Sequence, residues 1–231
     1  MIFTFDNVSP HPQKQKTLLP ASAEDIRLPE LSIVTDGSLF KGKVWREMAM
    51  QIYCEHGTDR YREIGHYGSG APFLYDEDIR ISISHTAGCL VVASLEIPSG
   101  RDLSAFSPDI ALGVDVERAD RDKALKLRER FLTPEELSVI KAESVEENIL
   151  AWSCKEAMLK ATMDSGIDWR NHLTILRLPA PLSEKEYISG HIPPAKVGVG
   201  TATPQFHSAP TPLTFNLISL RYQDFFIVLA L

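Results

Sequence analysis

Cysteine is scarce: three residues, Cys54, Cys89 and Cys154, are scattered over 231 positions. An odd, widely spaced set in apolar surroundings argues against a disulfide framework and reads as small buried hydrophobes in a reducing compartment. Long apolar runs are missing too, so no segment is suited to span a bilayer, and Met1–Asp6 lacks the basic and apolar regions of a secretory leader. Positive charge is in deficit, with 24 Lys and Arg against 31 Asp and Glu. That balance argues against a broad nucleic-acid or anionic-membrane footprint, while leaving room for a local basic pocket. No fixed-period repeat is visible. What is present, 44% hydrophobic and 24% charged residues, is ordinary for a soluble globular chain and sufficient for one large core or two small ones. The expectation is a cytoplasmic protein.

The most informative stretch is Ala111-Leu-Gly-Val-Asp-Val-Glu-Arg118. Its alternation puts Leu112, Val114 and Val116 on one face of a short strand and Gly113, Asp115 and Glu117 on the other. Two carboxylates on one face, roughly 6–7 Å apart along the strand, repel each other unless a cation sits between them. Oxygen ligands without Cys or His suit Mg²⁺ better than zinc. The plain alternative is a solvated acidic face.

A second stretch, Trp152-Ser-Cys-Lys-Glu-Ala-Met-Leu-Lys160, reads as a helix: Leu150, Cys154, Ala157, Met158 and Ala161 form an apolar stripe at 3.6-residue spacing. Trp152, Glu156 and Lys160 fall one turn apart on a neighbouring face. They are either an ordinary surface pair plus an aromatic, or a third carboxylate and an ammonium lining a phosphate-and-metal site.

Gly113-Val-Asp115-Val-Glu117, Arg130-Phe-Leu-Thr-Pro-Glu-Glu136 and Trp152-x-x-Lys155-Glu156-Ala-x-x-Lys160, preceded by Ile81-Ser-Ile-Ser84-His85-Thr86, resemble in order and spacing the 4′-phosphopantetheinyl transferase superfamily, in its long, two-domain form. The resemblance covers roughly residues 65–175. It implies an α+β fold of two similar halves, a pseudo-dimer, each packing a long helix on a small antiparallel sheet. Residues 1–108 would be the coenzyme A-binding half and 109–231 the half with the metal and catalytic motifs.

The resemblance also implies residue roles. Asp115, Glu117 and Glu156 would hold Mg²⁺, with Glu136 near it. Glu156 would deprotonate the acceptor serine, directly or through a bound water. Lys160 would meet the phosphates, with Lys155 supporting them from the helix side. Ser84 and His85, at a strand end, would face coenzyme A, with His85 on its 3′-phosphate. Lys43 and Arg46 are weaker candidates for the phosphates. The turn Tyr67-Gly-Ser-Gly70-Ala71-Pro72 would approach the coenzyme through Gly70 and Pro72, but Ala71 stands where relatives carry a cation. The implied activity is transfer of 4′-phosphopantetheine from coenzyme A to a serine of an apo carrier protein, by a monomer with no nucleic-acid or membrane partner. Two rivals remain: a coenzyme A-binding module with a degenerate site, and a Mg²⁺-dependent phosphohydrolase.

Elsewhere, Lys43–His56 reads as a helix ended by Gly57, Asp6–Glu30 as loop, and Pro98–Asp109 as the loop at the domain junction. Arg80–Ser84 and Cys89–Ile97 read as strands. Asp122–Phe131 is a short amphipathic segment, and Thr133-Pro-Glu-Glu136 carries the signature of a capped helix start. Glu146–Met163 is the long helix. His172–Leu178, Tyr187–Ile192, Val197–Thr201, Thr214–Leu220 and Phe225–Leu231 read as strands, with Ala202–Pro212 a hairpin loop.

Overall fold

Runs rich in β-branched and other apolar residues, several of them buried almost continuously, build two antiparallel sheets. The computed structural model describes residues 14–18, 26–35, 64–74, 78–98, 100, 110–205 and 212–231. The first sheet contains β1 (Lys14–Leu18), β2 (Glu30–Thr35), β3 (Ile64–His66), β4 (Pro72–Leu74), β5 (Ile79–Thr86) and β6 (Cys89–Glu96), in the order β1-β2-β6-β5-β4-β3. β5 and β6 form a tight hairpin from Ile79↔Glu96 to Thr86↔Cys89. Its turn needs Gly88, at φ +85°, because a side chain there would be strained.

The second sheet contains β7 (Gly113–Arg118), β8 (Leu173–Arg177), β9 (Gly198–Ala202), β10 (Leu213–Tyr222) and β11 (Phe225–Ala230), in the order β7-β11-β10-β9-β8. The helices are α1 (Lys123–Phe131), α2 (Pro134–Val139), α3 (Val145–Thr162), α4 (Trp169–His172) and α5 (Glu184–Ser189). The fold is therefore α+β with two antiparallel sheets. One core lies between the sheets, joining Ile33, Val91 and Ala93 to Val114, Val116 and Ile227. The other lies between α3 and the far face of the second sheet.

α3 forms because its apolar stripe is continuous: Leu150, Cys154, Ala157, Met158 and Ala161 are all buried. Ser144 caps its N-terminus, accepting from Glu147 N. The helix sits so close to β7 that a Cβ at Gly113 would collide with the Ala157 carbonyl. Glycine at 113 is thus what lets the motif helix lie on the motif strand.

Several expectations change. The segment Asp6–Glu30, expected as loop, contains β1, paired with β2 from Lys14↔Thr35 to Leu18↔Leu31. Tyr187–Ile192, expected as a strand, is instead the end of a helix and its exit. Ser183 and Glu186 form a reciprocal capping box at the start of α5, and Gly190 in the left-handed region ends it. Local capping chemistry outweighs the short β-like run there. The helix expected over Lys43–His56, with Lys43 and Arg46, lies outside the described residues, as do Cys54 and residues 101–109 around the expected domain boundary. No helix among the described residues is long and apolar enough to cross a membrane.

Candidate active site

β7 is an edge strand, and its outer N–H groups have no backbone ladder to join. Alternate hydroxyls on β5 of the other sheet take that place. Ser82 Oγ accepts from Val114 N at 3.0 Å, and Ser84 Oγ accepts from Val116 N at 3.2 Å. Ser84 Oγ also donates to Asp115 Oδ1 at 2.9 Å, and Thr86 Oγ1 donates to Glu117 Oε2 at 3.2 Å. This side-chain seam joins the two sheets and fixes both carboxylates of β7. Ser84, expected to face the coenzyme, spends its one donor on Asp115.

The acidic face of β7 is turned toward α3 rather than solvated: Asp115 is only 5% exposed. Lys160 Nζ donates to Val114 O at 2.8 Å and to Asp115 Oδ1 at 3.2 Å. Asp115 Oδ2 is buried with no hydrogen-bond partner. An orphaned carboxylate oxygen in such a place is costly unless something positive meets it. Glu117 Oε2 also accepts from Arg121 Nη1 at 2.8 Å. Burial, then the neighbouring Asp115 charge, push the Glu117 carboxyl above its ordinary range. Glu156 is pushed to about 7 by burial first and then by Asp115, while Lys160 and Lys123 pull the other way. Lys123, over the Trp152 ring at 5.8 Å, is a cation near the site that the sequence reading did not single out.

Crowded carboxylates whose charge is disfavoured, plus an unpaired buried oxygen, are chemically suited to a hard divalent cation. Among the described residues, no three such side chains are already gathered tightly enough to hold an ion. Asp115 is drawn to Lys160 and Ser84, and Glu117 to Arg121 and Thr86. Ion binding would have to compete with those contacts.

Glu156 and Lys160 open onto a cleft of about 420 Å³ between the first sheet and α3. The opposite wall comes from His66, Ser69, Gly70, Ala71 and Pro72, with Arg80, Ser82 and Leu112 at the floor. Gly70 and Pro72 are thus brought to the same cleft as the two α3 residues. His85 is not among its walls. It sits at the end of β5 in an adjoining open hollow with Thr86, Arg118 and Arg121. Although exposed overall, its ring is partly enclosed: burial and then Lys160 lower its pKa, and Asp115 opposes them.

Two expected site residues lie elsewhere. Glu136 is 2% exposed and Lys155 fully buried. Glu136 Oε2 accepts from Lys155 Nζ at 2.7 Å and from Thr133 N at 2.7 Å, and its Oε1 accepts from Ile175 N at 2.7 Å. Lys155 Nζ also donates to the carbonyls of Trp169 and Leu173, at 3.1 and 2.9 Å. All three ammonium donors are used. The pair ties α2, α3 and β8 together: Glu136, expected near the ion, and Lys155, expected beside the phosphates, are both engaged in this buried anchor. Burial pulls the Lys155 pKa down, against the pull of Glu136.

Residues 111–198 match the family model of the 4′-phosphopantetheinyl transferase superfamily. No curated protein matches the chain.

Proposed function

We propose that the chain transfers 4′-phosphopantetheine from coenzyme A to a serine of an apo carrier protein, releasing adenosine 3′,5′-bisphosphate. The observation that carries this reading is the arrangement around Asp115. Its orphaned oxygen and its Lys160 partner lie beside Glu156, and the two α3 residues face a cleft large enough for part of an extended phosphorylated ligand. Support comes from the superfamily match, whose segment includes all three acids and Lys160.

In this reading Asp115, Glu117 and Glu156 would hold Mg²⁺, which when bound would neutralise charge on the diphosphate as its bridging bond breaks. Glu156 accepts the serine hydroxyl proton on its carboxylate. The serine Oγ bonds to the phosphorus that carries the pantetheine arm, and the phosphorus–oxygen bond to the departing phosphate breaks. Lys160 offsets charge on the leaving oxygens. Ser84 orients Asp115 through its hydrogen bond, and the Gly70–Pro72 turn brings backbone close to the ligand. His85 donates to the 3′-phosphate from the adjoining hollow. Residues 1–108 act as the coenzyme side and 109–231 as the catalytic side.

Mass spectrometry after mixing the protein with coenzyme A, Mg²⁺ and an apo carrier protein tests the reading. The expected result is a carrier heavier by one phosphopantetheine arm. No change in either partner would favour a coenzyme A-binding module. Coenzyme cleavage without carrier gain would favour a phosphohydrolase.

A further inference from the structure

Helix α3 ends on Met163, whose backbone is left-handed at φ 53° and ψ 26°. Glycine is the usual residue at such a helix end, because a side chain there crowds the following carbonyl. Among the described residues, Gln223 is the other non-glycine with positive φ, at 50°. It is exposed in the two-residue turn between β10 and β11, where a hairpin favours left-handed backbone. A helix stop makes no such demand for methionine, since glycine would serve it without strain.

The backbone around Met163 is pinned. Asp164 accepts from Gly166 N at 2.9 Å and from Gln205 N at 2.6 Å, and its own N donates to Thr162 Oγ1 at 3.4 Å. Surroundings that hold both neighbours are the condition under which a strained residue persists, and such residues cluster where a ligand is held. The side chain is in such a place. It lines the cleft with Glu156 and Lys160, beside Leu112, Leu159 and Ile167. Its sulfur lies 3.0 Å from Arg80 Nη1 on β5, so it reaches from the end of α3 to the first sheet. The cleft therefore has a charged part at Glu156 and Lys160 and, one helical turn further, an apolar part that ends on a thioether.

We infer that Met163 is a specificity-determining residue whose thioether packs against the adenine base of coenzyme A. This rests on the reading that coenzyme A is the ligand of the cleft. With the diphosphate at the charged part, either the base or the pantetheine arm meets the apolar part. The amides of the arm need hydrogen-bond partners that Leu112, Leu159, Met163 and Ile167 do not offer. The base has apolar faces and is the only aromatic ring of the coenzyme, and a polarisable sulfur is attracted to such a ring at about 5 Å.

Isotope-labelled methionine methyls in the full chain, which has five methionines, test the inference by magnetic resonance. The Met163 signal is identified by its loss in Met163→Leu. Coenzyme A and adenosine 3′,5′-bisphosphate are each expected to move it upfield, because a methyl over an aromatic ring is shielded. Inorganic pyrophosphate, which has no ring, is expected to cause no upfield shift. In titration calorimetry Met163→Gly is expected to weaken coenzyme A and the bisphosphate by a common factor, about 3- to 30-fold. Met163→Leu, which keeps the volume, should lose much less. A methyl that stays in place at saturating coenzyme A, or wild-type affinity in a folded Met163→Gly chain, overturns the inference. So does a loss for coenzyme A without one for the bisphosphate, which would put Met163 on the arm. Should Met163→Gly fail to fold, the methyl shift in the wild type decides alone. A wild-type chain that binds neither ligand would sink the coenzyme A reading itself, an outcome distinct from an unmoved methyl in a saturated complex.

Discussion

Helix α3 carries two lysines five residues apart, and each meets a carboxylate from another element. Lys155 and Glu136 are sealed, with side-chain exposures of 0% and 2%. Between them they use two carbonyls and two backbone N–H groups. Lys160 and Asp115 are looser, at 3.2 Å with the lysine side chain 29% exposed, and the carboxylate keeps an oxygen unmatched. The residue types are the same, and the difference is how completely each pair is satisfied. A saturated pair has nothing left to offer a ligand and works as a rivet. An unsaturated pair beside a cleft holds charge in reserve, which is what binding a cation and a phosphate requires.

The sealed pair is the easier to break and should show the largest effect. Glu136→Ala leaves the Lys155 ammonium buried against carbonyls alone, and is expected to cost about 3–5 kcal/mol in denaturant unfolding. Replacing both partners by apolar residues of similar volume should return much of that loss. If Glu136→Ala instead leaves stability intact and removes only Mg²⁺-dependent turnover, the two pairs are not of different kinds.

At the open pair, Asp115→Asn is expected to lower turnover by roughly 100-fold or more while the unfolding midpoint stays close to wild type. The Mg²⁺ concentration for half-maximal activity should rise. Normal turnover with unchanged Mg²⁺ dependence would remove Asp115 from the ion site and leave it as part of the seam.

A smaller and more selective effect is expected at His85, outside the cleft. His85→Ala should weaken coenzyme A by roughly 10- to 100-fold while barely changing dephospho-coenzyme A, as measured by calorimetry. Equal weakening of both would place the ring elsewhere on the ligand.

The gentlest probe is pH. Glu156, raised from 4.5 to about 7, keeps a proton in the folded chain that the unfolded chain releases above about pH 4.5. The stability linked to that proton is fully present below pH 4.5 and is lost as pH rises through about 7. In chelator, the wild type should therefore melt progressively lower across that window. Glu156→Gln should flatten the slope and melt a few degrees higher than wild type at pH 8. A wild-type melting temperature that rises from pH 5 to 7.5 would contradict the crowding of Asp115, Glu117 and Glu156.

Much of this was legible in local patterns. The apolar stripe of α3, the period-two alternation of β5 and β7, and the Thr133 cap are short-range regularities, and each formed within a residue or two of its expected bounds. The same kind of signal was available but missed at Ser183-x-x-Glu186, which caps α5 where a strand was expected. β1 had a weaker one, since its polar sequence Lys-Gln-Lys-Thr-Leu becomes a strand only by pairing along β2.

The sequence by itself determined the sheet-and-helix vocabulary and which residues could carry chemistry: Asp115, Glu117, Glu156 and Lys160 stand at spacings that periodicity alone assigns to a strand face and a helix face. Which of them share one pocket is a non-local question. The serine seam between β5 and β7, the sealing of Glu136 with Lys155, and the delivery of Arg80 to the cleft join residues separated by 32, 19 and 83 positions. Only the packed structure decided them, because a hydrogen bond's worth depends on how far both partners are removed from water, and burial is a property of the whole fold.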